Sequence, residues 1–145
     1  MATAAFIPFI APTTPTQRIR LIRAGLFAAE AKAMLGRFDL PIGQVLVALS
    51  IPVATFNRKV ARGEHLAPDE SERLLGLVEM IDQVQRMVEE SGDPTGFDAA
   101  NWLSRWLSEP VPALGSTRPL DWMDTMEGQR VVRQILARMQ TGAYS

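Results

Sequence analysis

The chain has 145 residues, enough for one compact domain or for two small subdomains that share a core. Its apolar fraction of 47% and charged fraction of 21% are those of a folded soluble protein and exclude a disordered chain. The absence of cysteine excludes disulfides and thiolate chemistry and leads us to expect a cytoplasmic protein. No stretch approaches the ~20 apolar residues of a membrane helix, and the start lacks the basic residues of a signal peptide.

Charge is distributed unevenly along the chain. Residues 1–68 contain eight basic and three acidic residues, a net charge of +5, whereas residues 69–145 contain seven and thirteen, a net charge of -6. A basic half is typical of a protein that binds nucleic acid, because phosphate contacts supply most of the non-specific binding free energy. The acidic half would repel DNA, so its partner should be of another kind. Alternatively, the difference in net charge between the two halves is ordinary variation between solvated surfaces and indicates no partner.

The N-terminal half predicts a flexible arm followed by short helices. Residues 1–16 are rich in proline and threonine and have no helical period. From residue 17 the spacing of apolar residues predicts a first helix, which Gly25 either closes or interrupts, and a second over residues 28–37. Two more helices are predicted over residues 42–49 and 53–62, joined by a turn at Ser50 and Pro52, because proline disfavours helix before it and suits the start of the next helix. This arrangement is a helix-turn-helix.

The second helix of that pair is the candidate for reading DNA. Phe56 and Val60 lie one turn apart on one face, and small or polar residues occupy the remainder. Recognition helices place their N-terminal residues against base edges, so we expect base and phosphate contacts from the polar face. The alternative is a solvated surface helix. The expected base contacts are Thr55, Asn57 and Arg58, and the expected phosphate contacts are Lys59 and Arg62.

Three helices are predicted in the C-terminal half. The first begins at Pro68 with an acidic first turn and extends to residue 91, and its apolar stripe is typical of a core or a dimer interface. The second, over residues 97–107, places Trp102 and Trp106 one turn apart, where we expect both to be core residues. After a loop in which Gly115 supplies a turn, Thr125 caps the third helix and Gly142 ends it. The apolar stripe of the first helix is Leu74, Val78, Ile81, Val84 or Gln85, and Val88.

The sequence contains no signature of an enzyme. Its single histidine, His65, is expected at the surface and cannot form a histidine metal cluster. Phosphate-binding GxxxxGK[ST], GxSxG and GxGxxG motifs are absent, and the loop carboxylates Asp121 and Asp124 have a spacing that is common without catalysis. We therefore expect no catalytic residue, no metal and no cofactor.

Several sequence runs occur together in the order of a known family. WL ends at residue 107, P-x-P-A-L-G covers residues 110–115, RPLD covers 118–121, TMEGQRVV covers 125–132 and LARMQTGAY covers 136–144, while an E-S-x-R-L run covers 70–74. These runs resemble the Xre/MbcA/ParS antitoxins, and the resemblance extends from about residue 18 to residue 144. Ala67 stands where a capping serine is usual, and Ser116 stands where a second glycine is usual.

The resemblance implies an all-α fold, in which an Xre-like helix-turn-helix bundle precedes a small helical toxin-binding domain. The implied division is an arm over residues 1–16, a DNA-binding domain over 17–66, a linking or dimerisation helix over 67–92 and a toxin-binding domain over 93–145. It also implies an antitoxin that blocks the active site of a RES-domain toxin, an enzyme that consumes NAD or transfers ADP-ribose from it. Such an antitoxin represses its own operon as a homodimer or within a toxin–antitoxin complex.

The family motif is partly a folding motif, so toxin contacts are expected at other positions. Leu114, Gly115, Pro119 and Gly128 are expected to be structural. Polar residues of the last helix and the tail are the candidates, because guanidinium groups pair well with carboxylates and phosphates; the alternative is the solvated face of an amphipathic helix. The expected toxin contacts are Arg130, Arg133, Gln134, Arg138 and Tyr144.

Two other functions stay open at this point. One is a stand-alone transcriptional regulator whose C-terminal domain only dimerises. The other is an interaction protein whose basic half is merely a solvated surface. Only an antitoxin is expected to rescue cells from the product of the neighbouring gene.

Overall fold

Seven α-helices and two short 3₁₀ helices form the part of the chain that the computed structural model describes, namely Pro12 and residues 14–140. Those residues contain no strand, which confirms the all-α prediction. None of the described helices is both long and apolar enough to cross a membrane. In chain order the helices are α1 Pro15–Ala24, α2 Ala28–Leu35, α3 Ile42–Ala48, α4 Val53–Arg62, α5 Pro68–Ser91, α6 Ala99–Leu107, η1 Pro112–Leu114, η2 Pro119–Trp122 and α7 Met126–Gln140.

Helix α1 begins two residues before the predicted start, within the segment assigned to the arm. Thr14 caps it by accepting a hydrogen bond from the Gln17 N–H at 3.1 Å, and Pro15 occupies the first helical position, where its missing N–H costs nothing. Pro15 therefore starts a helix rather than interrupting the chain. Gly25 closes α1 with φ +84°, and a Cβ at this position would clash with the Leu66 carbonyl oxygen.

Helix α5 is the element on which both halves of the chain pack. Helices α1 and α2 contact it from the N-terminal half, and α6 and α7 contact it from the C-terminal half. Most of the predicted stripe is buried, but so are residues on its other faces, so that the middle of α5 is enclosed on all sides. A helix that is apolar around its circumference belongs inside a core. Its buried apolar side chains are Leu74, Leu75, Leu77, Val78, Met80, Ile81 and Val84.

The prediction that Trp102 and Trp106 are core residues is confirmed only in part, because both pack against the core without being fully buried. Both are only half-buried, and their rings stack on each other with centroids 6.1 Å apart and planes 10° apart. The core face of α6 is formed instead by smaller residues that include Leu103 and Leu107. The tryptophans therefore lie at the edge of the core, where each ring packs against core residues and against the other ring.

The loop between α6 and α7 is ordered by local bonds. Gly115 supplies the predicted turn with φ +65°, and Ser116 follows it in the same left-handed region with φ +63°. Trp122 Nε1 donates to Thr117 Oγ1 at 2.8 Å. Thr125 caps α7 as predicted, because its Oγ1 accepts from the Gly128 N–H at 2.9 Å.

The structure explains why several motif residues are structural. Leu114 and Pro119 are buried, and so is Gly128, where a Cβ would clash with the Trp122 carbonyl oxygen.

His65 is exposed, as predicted, and its ring packs edge-on against the Phe27 ring with the two centroids 5.5 Å apart. The predicted end of α7 at Gly142 lies outside the described residues.

We predict that Gly128→Ala lowers the free energy of unfolding by about 1–3 kcal/mol, because overpacking forces backbone to move. Urea unfolding measures this change. The matched control is Gly43→Ala in α3, where nothing lies within 4 Å of the added Cβ and alanine favours helix. Equal stability of the Gly128→Ala protein and the parent would contradict the packing at this position.

Candidate DNA and partner interfaces

The turn between α3 and α4 orients the candidate recognition helix. Ser50 adopts φ +55°, and the Ile51 N–H returns to the Leu46 carbonyl at 2.9 Å. Leu49 and Ile51 are both buried, so the turn is anchored in the core on either side of Ser50. Pro52 then precedes the first residue of α4. The predicted helix-turn-helix is therefore present in the geometry of the backbone.

Arg73 of α5 holds this turn in place. Its Nε donates to the Leu49 carbonyl at 2.7 Å, its Nη2 donates to the Ser50 carbonyl at 3.3 Å, and its Nη1 donates to Asp69 at 3.3 Å. The two carbonyls lie just beyond α3, where helix-terminal carbonyl oxygens lack partners within the helix. A planar guanidinium can reach both at once, which an ammonium on a single stem does less well.

The outward face of α4 presents three of the five predicted DNA contacts. Asn57, Arg58 and Arg62 are exposed, and they share this face with Ala54 and Ala61. Small side chains between the polar ones leave room for the helix to approach a groove closely. Phe56 is buried on the opposite face, as the periodicity predicted.

The other two predicted contacts lie at the edge of that face. Thr55 and Lys59 are both partly buried. Lys59 Nζ pairs at 3.3 Å with Glu70, whose same carboxylate oxygen accepts from the Ala67 N–H at 3.0 Å. Glu70 thus supplies one half of a capping box at the start of α5, and Lys59 ties α4 to it. Because Lys59 already pairs with Glu70, a phosphate would share its ammonium group with that carboxylate.

The E-S-x-R-L run is a set of contacts that seats the helix-turn-helix on α5. The buried Ser71 hydroxyl accepts from the Leu26 N–H at 2.8 Å, and Leu74 is fully buried. Glu70 and Arg73 make the bonds described above, so all four specified residues of the run have a structural role.

Helix α7 presents three of the predicted toxin contacts together. Arg130, Gln134 and Arg138 are exposed and recur every four residues, so they form one stripe along the helix. We call these three residues the α7 stripe. Arg130 pairs with Glu127 in the first turn, and the hydrogen bond from its guanidinium lowers the pKa of the Glu127 carboxyl. A partner carboxylate would compete with Glu127 for this arginine.

The structure separates Arg133 from the α7 stripe. Its Nη2 donates to the Gly76 carbonyl of α5 at 2.7 Å and approaches Glu79 at 3.4 Å. Glu79 also pairs with Arg18 of α1 at 3.1 Å. Arg133 therefore joins α7 to α5 within the fold, which makes it a poor candidate for a toxin contact. Tyr144 lies outside the described residues.

Sequence reasoning missed the structural role of Gln129. This side chain is fully buried, and its Nε2 donates to the Arg73 carbonyl at 2.9 Å and to the Met123 carbonyl at 3.0 Å. Its Oε1 lies against Gly76, where any Cβ would clash with it. The sequence does contain a signal for this role, because the apolar spacing of α7 places Gln129 on the buried face of the helix.

The described residues contain no group of three or more His, Asp or Glu side chains that could hold a metal ion. A groove of about 490 Å³ separates α3 from η2 and has the Arg118–Asp121 pair in its lining. The hydrogen bond from Arg118 lowers the pKa of the Asp121 carboxyl, which favours a salt bridge over a proton-transfer role.

Comparison with known proteins matches both halves of the chain. Residues 17–79 match the antitoxin Xre-like helix-turn-helix domain, and residues 96–142 match the antitoxin Xre/MbcA/ParS C-terminal toxin-binding domain. A Sphingobium sp. (strain YBL2) protein named Prs ADP-ribosylating antitoxin is 43% identical over 132 residues, or 91% of this chain and 83% of the relative. A Yersinia enterocolitica (serotype O:8 / biotype 1B, strain NCTC 13174 / 8081) protein named Antitoxin Xre is 26% identical over 107 residues, or 74% of this chain and 67% of the relative.

We predict that Arg73→Met lowers the free energy of unfolding by about 1–3 kcal/mol, because it removes the donors to the Leu49 and Ser50 carbonyls, and the bond to Leu49 is partly buried. Arg73→Lys should recover only part of this loss. Urea unfolding measures both, and Arg86→Met, at an exposed position of the same helix, is the control. The assigned role of Arg73 is wrong if its two variants unfold at the same urea concentration as the control.

Proposed function

The chain belongs to the Xre/MbcA/ParS family of antitoxins, and we propose that it neutralises a RES-domain toxin by blocking the active site of that toxin. We also propose that it represses its own operon by binding DNA through α4. As a member of the family it is an antitoxin with a helix-turn-helix domain, and its partner is a toxin. The observation that carries the proposal is the match of residues 96–142 to a toxin-binding domain. We place the protein in the cytoplasm and assign it no catalytic activity of its own.

The α7 stripe is the proposed contact with the toxin. Arg130 and Arg138 expose guanidinium groups on the same face, and such groups form charge-assisted hydrogen bonds with carboxylates at an active-site entrance. Arg133 is not part of the proposed toxin contact, because its guanidinium already binds α5. The name of the Sphingobium relative includes ADP-ribosylation, which favours ADP-ribosyl transfer over NAD consumption alone as the reaction of the toxin.

The outward face of α4 is the proposed contact with operator DNA. We assign base contacts to Asn57 and Arg58 and a phosphate contact to Arg62, and we place Thr55 and Lys59 at the edge of the interface. Paired half-sites on an operator require paired recognition helices, so we propose that the antitoxin binds DNA as a homodimer or within a toxin–antitoxin complex.

We predict that co-expression with this chain rescues growth of cells that express the neighbouring RES-domain gene, and that the purified complex consumes less NAD than the toxin alone. The double variant Arg130→Glu/Arg138→Glu should weaken toxin binding about ten-fold or more, equivalent to about 1.4 kcal/mol, because it reverses two interface charges. Arg105→Glu, at an exposed position of α6, is the control and should bind as the parent does. Failure of the parent to bind or to rescue would leave the stand-alone regulator as the better account.

We also predict that Arg58→Ala weakens binding to the upstream DNA of its own gene by about 5- to 150-fold, equivalent to about 1–3 kcal/mol for a lost base contact. Arg62→Ala should instead weaken binding to all DNA sequences alike. It should also reduce the slope of log affinity against log salt concentration by about the amount that one phosphate contact contributes. Electrophoretic mobility shifts at a fixed salt concentration measure both effects, with Lys32→Ala on α2 as the control. If Arg58→Ala binds as tightly as the parent, α4 is not the reading helix.

A further inference from the structure

Helix α4 is fixed in the core by few side chains. Within α4, all of which the structure describes, Phe56 is the only buried residue, and the partly exposed Val60 packs against the core. The backbone holds both ends of the helix, because Ile51 is buried before α4 and the Glu64 carbonyl beyond it accepts from the Ala28 N–H at 3.0 Å. The rotation of α4 about its own axis therefore depends on side chains that lie beside the Phe56 face.

Lys59 lies beside that face and pairs with a residue of α5. Because successive residues of a helix are about 100° apart, Lys59 flanks Phe56 on one side and Val60 flanks it on the other. Lys59 Nζ lies 3.3 Å from Glu70 Oε1, and the two side chains are only 18% and 12% exposed. Salt screens a partly buried pair less than an exposed one. Glu70 is itself held by the Ala67 N–H, which donates to the same oxygen at 3.0 Å.

Arg73 provides a second contact from the same face of α5. It lies three residues after Glu70, so the two side chains are neighbours on that helix. Arg73 binds the Leu49 and Ser50 carbonyls just before α4, whereas Glu70 binds Lys59 in the second half of α4. Two points of attachment define the orientation of a helix, which one point cannot do. A partly buried ion pair is weak evidence for stability, but it can specify a geometry.

We propose that Lys59 is a positioning residue for DNA recognition rather than a phosphate contact. Its pair with Glu70 sets the rotation of α4 and thereby the direction in which Asn57 and Arg58 meet the base edges. A rotation of about 10–20° is enough to spoil a binding geometry. Loss of the pair should therefore reduce discrimination between DNA sequences more than it reduces affinity for DNA in general. This inference rests on the proposed function, because it takes α4 as the helix that reads DNA.

The test breaks the pair from either side with opposite changes of net charge. Lys59→Met removes the cation, and Glu70→Gln removes the anion while keeping an oxygen that can accept from the Ala67 N–H. Fluorescence anisotropy measures the affinity for the upstream DNA of the gene and for a scrambled duplex of the same length. Both variants should lower the ratio of the two affinities by about five-fold, the low end of what one base contact contributes. Because unfolded protein lowers both affinities by the same factor, this ratio reports recognition rather than stability.

The salt dependence separates positioning from a phosphate contact. One phosphate contact contributes about 0.9 to the slope of log affinity against log salt concentration. We expect Lys59→Met to change this slope on the scrambled duplex no more than Lys32→Met does, which makes the same charge change at an exposed position of α2. Glu64→Gln, at an exposed position just beyond α4, is the matched control for Glu70→Gln. Both controls should keep the affinity ratio of the parent.

The double variant Lys59→Met/Glu70→Gln completes the test. If the two residues act through one contact, the double variant loses no more discrimination than either single variant, whereas losses that add overturn the proposal. A slope that falls by about 0.9 in Lys59→Met, with the affinity ratio of the parent retained, makes Lys59 a phosphate contact and also overturns it. If the parent itself binds both duplexes equally, the proposed DNA contact fails and the inference fails with it. If the parent discriminates and both single variants keep its ratio, the inference alone is wrong.

Discussion

Arg73 takes part in polar bonds to both halves of the molecule. Its guanidinium binds the turn of the helix-turn-helix, and its backbone carbonyl accepts from Gln129 of α7. Gln129 in turn binds the end of η2 at the Met123 carbonyl. A short path of hydrogen bonds therefore connects the segment before α4 with the start of α7. Because a buried donor without a partner is costly, the carbonyls of Arg73 and Met123 fix where the Gln129 amide nitrogen lies.

This constraint separates the residues that build the fold from those that are available for partners. Four polar side chains make contacts that hold the helices together: Ser71 with Leu26, Arg73 with the turn, and Gln129 and Arg133 with α5. The outward face of α4 and the α7 stripe consist of exposed residues, and the proposed functions use these two surfaces. One scaffold can then present a surface on α4 to one partner and a separate surface on α7 to another.

Helix positions were largely predictable from the sequence, because prolines, caps and apolar spacing are local signals. The bounds of α4 and α5 agree with the prediction, while α1 starts earlier because Pro15 begins the helix that Thr14 caps. Burial at α6 was not predictable in this way: one turn of spacing puts Trp102 and Trp106 on the same face, but only tertiary packing decides whether that face is inward. The same limit applies to Arg133, whose separation from Arg130 and Arg138 depends on where Glu79 and Gly76 of α5 lie. Gln129 was missed because a buried amide has no periodic signal of its own.

Helix α5 packs against both the helix-turn-helix half and the C-terminal half, and we predict that the two halves unfold as one cooperative unit. All three tryptophans lie between residues 102 and 122, so their fluorescence reports on the C-terminal half, whereas far-UV circular dichroism reports on the helices of both halves. Urea unfolding followed by both signals is the most direct test. We expect the two transitions to coincide, as in two-state unfolding of a small domain. If the loss of helix precedes or follows the change in fluorescence, the halves unfold separately and α5 does not couple them.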